Sequence, residues 1–176
     1  MSDKTRRTVL LSLFLAFSLI CSYIESCIPF FPMIPGAKLG LSNLVTLFLL
    51  YRARFRDAAA VTILRIFLSA FLFSGPVSIF YGLCGAVLSL GGMMLLKNTR
   101  FFSPVGVSAA GGMLHNIGQT FAAVLVFRST APLFYLSYLM LSGVIAGTLI
   151  GIVVSLIIKN TPASFMQDKE KRRGSE

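Results

Sequence analysis

Charge is scarce in this chain of 176 residues, since only 12% of its positions are Asp, Glu, Lys or Arg and 56% are hydrophobic. A soluble domain carries about 25% charged residues, because it must present a polar surface to water. The mean hydropathy of +0.83 therefore predicts a protein of the bilayer. Because a membrane helix takes about 20 apolar residues, six helices would use nearly the whole chain. We expect one six-helix domain over residues 1–160 and a charged cytoplasmic tail without fixed structure over 161–176.

Acidic residues, histidine and cysteine are few as well: six Asp and Glu, one His and three Cys. The cysteines fall inside apolar runs and show no CxxC spacing, so the sequence predicts neither a metal site nor a disulfide framework. No Walker motif occurs, so ATP-driven transport would need a separate ATPase. We expect no metal and no cofactor.

Basic residues are the exception, with sixteen Lys and Arg and a formal net charge of +10. They cluster at the ends of apolar runs, which is typical of the positive-inside rule and not of a nucleic-acid-binding face. With a cytoplasmic N-terminus, only Lys38 and Arg128 fall on the external side. The cytoplasmic side then holds Lys4, Arg6, Arg7, Arg52, Arg54, Arg56, Lys97, Arg100, Lys159, Lys169, Lys171, Arg172 and Arg173. This bias predicts an all-α protein that crosses the inner membrane six times, with both termini in the cytoplasm.

Six apolar segments follow one another along the chain, and they set the predicted helices. They cover about residues 8–28, 38–51, 57–73, 77–96, 104–127 and 133–158. Between the first two, Pro29, Pro32, Pro35 and Gly36 exclude a helix. We expect this stretch to form an external loop over the outer half of the bundle.

Two charged residues fall inside predicted spans and not at their boundaries, where Lys38 and Asp57 lie, and an ionisable group inside a span costs at least about 2.5 kcal/mol. Arg65 lies near the middle of the third segment, and Glu25 is the only acid inside any span. Either Lys38 or Arg65 could neutralise Glu25. The sequence supports a structural ion pair and a part in a ligand site equally.

The fifth segment carries a polar stripe at helical spacing: Ser108, Gly112, His115, Asn116 and Gln119. Three large polar groups on one membrane helix need hydrogen bonds from neighbouring helices or from a ligand, and their number favours a ligand. The candidate ligand-binding residues are Glu25, Lys38, Asn43, Arg65, His115, Asn116 and Gln119. Because cationic and donor groups outnumber the single acid, we expect an anionic or amphiphilic small molecule.

Several motifs together carry a family resemblance: YIES at 23–26, PGAKLGLSN at 35–43, RIFLS at 65–69, GVS at 106–108 and HNIGQ at 115–119. Over about residues 8–158 the chain resembles the bacterial membrane family called Gx transporter or heptaprenyl diphosphate synthase component I. In its size, six spans and predicted outer pocket it is also similar to the substrate-binding S components of energy-coupling-factor transporters.

The two resemblances imply different functions. An S component takes up a ligand and docks on a transmembrane coupling subunit with separate ATPases through small residues of its first helix, where Ser12 and Ala16 stand here. This transport function is our leading prediction. The synthase name implies the alternative, a non-catalytic membrane accessory subunit of isoprenoid or quinone metabolism. Prenyl diphosphate synthases hold Mg-diphosphate with Asp-rich motifs, and this chain contains no DxxD, so we do not expect an enzyme.

Overall fold

Six α-helices make up the computed structural model, which describes residues 3–27 and 40–162. They are α1 Asp3–Cys27, α2 Leu41–Arg52, α3 Phe55–Ser69, α4 Val77–Thr99, α5 Pro104–Phe127 and α6 Leu136–Asn160. A π-helical turn, Ala70–Ser74, extends α3, and a short 3-10 helix, Ala131–Tyr135, precedes α6. The predicted external loop and all but the first two residues of the predicted tail lie outside the described residues.

Four helical stretches are long and apolar enough to cross a membrane: Lys4–Cys27, Phe55–Ser74, Val77–Thr99 and Ala131–Asn160. Phe71 and Phe134 point away from the bundle and are 78% and 81% exposed, as expected of side chains that face lipid. The chain is therefore a multi-pass, all-helical membrane protein. The helix α2 has only 12 residues, and α5, which has 24 residues and carries the polar stripe, is not one of these four stretches.

The helix α1 begins at Asp3, five residues before the predicted start of the first segment. Its basic first turns continue the helix, since Lys and Arg are good helix formers. Arg7 is also held in place, because its Nη2 donates to both carboxylate oxygens of Asp57 at the start of α3, at 2.6 and 2.8 Å. An apolar pattern locates the membrane segment and misses a helix that extends beyond it.

The bundle consists of two halves, one made of α1, α2 and α3 and the other of α4, α5 and α6. The second half is packed along most of its length, and α2 on α6 and α3 on α4 join it to the first. Small residues allow the close packing of α5 on α6. A Cβ on Gly147 would lie 2.5 Å from the carbonyl oxygen of Ser108, and one on Gly143 would lie 2.6 Å from that of Gly112. The two backbones are therefore in contact, as in small-xxx-small membrane helix pairs.

Arg52 and Lys97 close the end of the bundle that also holds the Arg7–Asp57 ion pair, and we call it the basic end. Lys97 Nζ donates to the carbonyl oxygen of Leu50 at 2.5 Å, and Arg52 donates to the carbonyl oxygen of Ile158. Both carbonyls belong to the last turns of helices, which carry the negative end of the helix dipole. Above them, a core around the fully buried Leu47, Leu49 and Leu50 fills this half of the bundle.

Candidate functional site

A cavity of about 770 Å³ lies inside the bundle, lined by residues from all six helices. We call it the central cavity. It occupies the part of the bundle away from the basic end, where the two halves separate. Its volume lies within the range of about 300–1,000 Å³ that is typical of small-molecule sites.

Six of the seven ligand-binding candidates from the sequence line this one cavity: Glu25, Asn43, Arg65, His115, Asn116 and Gln119. The seventh, Lys38, lies outside the described residues. The two docking candidates, Ser12 and Ala16, are exposed on the outer surface of α1.

The carboxylate of Glu25 binds the first turn of α2. Its Oε1 accepts a hydrogen bond from the backbone N–H of Leu41 at 2.8 Å, and its Oε2 accepts one from Ser42 Oγ at 3.4 Å. The N-cap position of α2 is Gly40, which has no side chain to serve this purpose. Glu25 therefore acts as the N-cap of a neighbouring helix, where a negative charge also complements the helix dipole.

Arg65 is the charged residue of the cavity wall that the fold leaves without a direct counter-ion among the described residues. Its side chain is 8% exposed, and its Nη1 donates to Ser42 Oγ at 2.6 Å and to Ser22 Oγ at 3.3 Å. Its Nε has no hydrogen-bond partner in the described part of the chain. Ser42 stands between Arg65 and Glu25, so the two charges interact through a hydroxyl group and not as an ion pair.

Ser22 and Ser42 are the site residues that sequence reasoning missed. Ser22 is buried and precedes Glu25 by three positions, which places both on the same face of α1. Ser42 adjoins Asn43 at the start of α2 and bonds both Glu25 and Arg65. The three-residue spacing to Glu25 is a signal that could have revealed Ser22, whereas the double role of Ser42 depends on how three helices meet.

The polar stripe of α5 divides between packing and the cavity. Asn116 is buried, and its Nδ2 donates to the carbonyl oxygen of Leu139 in α6 at 2.5 Å. His115 packs against α4, because a Cβ on Gly85 would lie 2.8 Å from its Cε1. Gln119 is half-buried on the cavity wall one turn further along. The stripe thus joins α5 to its neighbours and also supplies polar groups to the cavity.

The cavity extends along the bundle. On α5 its lining runs from Ser108 to Phe127, a distance of about 28 Å at 1.5 Å per residue. This length leaves room for an extended molecule.

Polar side chains line the cavity along its whole length. Around Arg65 lie hydroxyl and amide side chains. Ser89 and Ser108 lie with Met93 at the inner end, and Ser129 lies with Phe127 and Tyr135 at the far end. Among residues 3–27 and 40–162, no three His, Cys, Asp or Glu side chains come together as metal ligands. The cavity can therefore offer one cation, one carboxylate and several neutral hydrogen-bonding groups among apolar side chains.

The family model described as heptaprenyl diphosphate synthase component I matches residues 14–157. This range is more than half of the chain, and it contains every described residue that lines the central cavity. No curated protein and no solved structure matches the chain significantly.

Proposed function

Because the chain belongs to the heptaprenyl diphosphate synthase component I family, we propose that it is a non-catalytic membrane subunit that binds an amphiphilic, chain-bearing ligand for a separate synthase component. The observation that carries this proposal is the central cavity. Its length along α5 and its lining of apolar side chains around one buried cation suit a ligand that carries both an isoprenoid-like chain and a polar group.

The carboxylates of the chain support a non-catalytic role. Metal-assisted prenyl transfer needs several carboxylates to hold magnesium between diphosphate groups. Asp57 is bound by Arg7 at the basic end, and Glu25 caps α2 on the cavity wall. With these two far apart, the described residues offer no paired carboxylate site in the cavity. The reaction would belong to the partner component that the family name implies.

Affinity purification from membranes of the native organism tests the proposal. The tagged full chain, extracted in a mild detergent, is expected to bring down a soluble prenyltransferase, and prenyl-chain elongation by that enzyme should rise when the two are combined. If the purified complex instead contains a transmembrane coupling protein with two ATPases, and no prenyltransferase, the synthase proposal is rejected.

A second candidate, transport as an S-component-like subunit in the inner membrane, has one observation in its favour. Ser12 and Ala16 leave a small, exposed strip on α1 where another helix could approach closely. The double variant Ser12→Leu, Ala16→Leu fills this strip. It should abolish association with a coupling subunit while the isolated protein stays folded, whereas Leu13→Phe, which enlarges a neighbouring exposed side chain, should not. Association that survives the double variant would exclude this docking mode.

A further inference from the structure

We propose that Arg65, oriented by Ser22 and Ser42, is the anion-binding position of the central cavity, so that the ligand seats an acidic group at middle depth and extends its chain toward Tyr135. The inference rests on the proposed binding of a chain-bearing amphiphile and names its headgroup chemistry, a carboxylate or phosphate oxyanion.

The first argument is the burial of a cation that has no direct counter-ion among the described residues. Arg65 is 8% exposed, and the two groups that it contacts, Ser22 Oγ and Ser42 Oγ, are neutral. A buried charge is costly unless it is paired. Arg65 also lines a cavity large enough for a ligand. An acidic group in the cavity would supply the direct counter-ion that Arg65 lacks among the described residues.

The second argument is that the nearest acid already has another task. Glu25 accepts a hydrogen bond from the Leu41 N–H and one from Ser42 Oγ, so it is committed to the start of α2. Leaving that position to approach Arg65 would uncap the helix. Arg65 is also the only Lys or Arg among the described residues of the cavity lining. The anion would therefore come from the ligand.

The third argument concerns orientation. Arg65 is the tenth residue after Phe55, about 15 Å along a stretch, Phe55–Ser74, that is about 30 Å long. On the basic side of this level the cavity continues only as far as Met93 and Ser108 and then meets the core around Leu47 and Leu50, whereas on the other side it continues to Phe127 and Tyr135. The longer part of the cavity therefore lies away from the basic end. The chain of an acid bound to Arg65 has more room on that side.

The test compares three probes that share one chain: farnesoic acid, farnesyl monophosphate and farnesol. Binding is measured by titration calorimetry on the full chain in detergent. We expect at least one of the two acids to bind about 10- to 100-fold more tightly than the alcohol, the range expected for a hydrogen bond to a charged group. The acid that binds more tightly identifies the headgroup class. Equal binding of all three probes would overturn the inference.

Variants test whether Arg65 causes the tighter binding of the acids. Arg65→Gln should remove the advantage of the acids and leave the binding of farnesol unchanged, and Arg56→Gln, which removes an exposed cation of the same helix, should change neither. An acid preference that survives Arg65→Gln would overturn the inference. If that variant does not fold, Arg65→Lys decides, since it keeps the charge and loses the forked donor geometry. We then expect the acids alone to weaken about 10-fold, and unchanged acid binding would contradict the assignment.

Failure of the proposed function has a different signature from failure of this inference. If the cavity does not bind chain-bearing amphiphiles, none of the three probes saturates, in the wild type or in Arg56→Gln. If only the headgroup assignment is wrong, farnesol binds as tightly as the acids.

Discussion

Single glycines determine how closely α5 and α6 approach each other. A Cβ on Gly147 would meet the carbonyl oxygen of Ser108 at 2.5 Å, and backbone atoms cannot move aside as a flexible side chain can. Gly147→Ala should therefore lower the free energy of unfolding in detergent by about 1–3 kcal/mol, the usual cost of overpacking. Gly91→Ala is the matched control, because nothing lies within 4 Å of the added Cβ. Equal melting temperatures for the two variants would contradict the close packing.

The two amides of the α5 stripe should respond differently to truncation. Asn116→Ala removes the hydrogen bond from Nδ2 to the carbonyl oxygen of Leu139, which keeps a second bond from Ser142 Oγ, and should cost about 0.5–1.5 kcal/mol of stability without ligand. Gln119→Ala should leave the ligand-free protein nearly as stable as the wild type and reduce the stabilisation that a bound ligand gives. Melting temperatures with and without farnesoic acid separate the two effects. A large loss of ligand-free stability in Gln119→Ala alone would reverse the assignment.

At the scale of residues, the sequence identifies the costly groups but not their partners. Arg65 and Glu25 stand out because a charge inside an apolar segment is rare and expensive. Their shared contact, Ser42, cannot be predicted, because it depends on α1, α2 and α3 meeting at one point. The same holds for Asn116, whose bond to the backbone of α6 has no signal in the sequence of α5.

Among the elements, α2 depends on a cap from another helix. Glu25→Ala should remove the acceptor for the Leu41 N–H and cost about 0.5–2 kcal/mol. Hydrogen exchange of the first turn of α2 should accelerate, while its last turn, held by the bond from Lys97 to Leu50, should change less. Ser26→Ala removes an exposed hydroxyl one position away and should leave exchange in α2 unchanged. Unaltered protection of Leu41 and its neighbours in Glu25→Ala would refute the cap.

The helices themselves are predictable because their signals are local, and their irregular ends are not. Pro104 at the first position of α5 and the Ser74-Gly75-Pro76 break after α3 mark boundaries that the chain chemistry dictates. The π-helical turn Ala70–Ser74 has no such marker. Hydrogen bonds in a π-helix join residues five apart, whereas those in an α-helix join residues four apart. This difference leaves no mark on the apolar pattern of the segment.

For the molecule as a whole, the distribution of basic residues predicts six crossings with both termini in the cytoplasm. Reporters fused after Arg7, Arg54, Lys97 and the C-terminus should report cytoplasm, and those after Pro32, Gly75 and Thr130 the exterior. The reporter after Pro32 tests whether the second segment crosses the membrane. This crossing is the least certain to form by length, because the 12 residues of α2 rise only about 18 Å and the hydrocarbon core is about 30 Å thick. A cytoplasmic reporter at Pro32, or an external C-terminus, would contradict the six-span topology.

The cavity is the property that composition and periodicity could not supply. The sequence placed polar residues on four helices, but whether they converge depends on how the two halves of the bundle meet, through α2 on α6 and α3 on α4. Their convergence on one channel is a result of tertiary packing. Its length along α5 likewise required the structure.

The central claim, that the cavity holds a chain-bearing amphiphile, is tested most directly by mass spectrometry of the protein extracted from its membrane. Ala123 lines the cavity, and Ala60 is exposed on the outside of α3. We predict that the wild type and Ala60→Trp retain one isoprenoid-like compound in near-stoichiometric amount, and that Ala123→Trp, which fills the channel, loses it while remaining folded. Equal retention of the compound by all three proteins, or no retained compound in the wild type, would contradict the account.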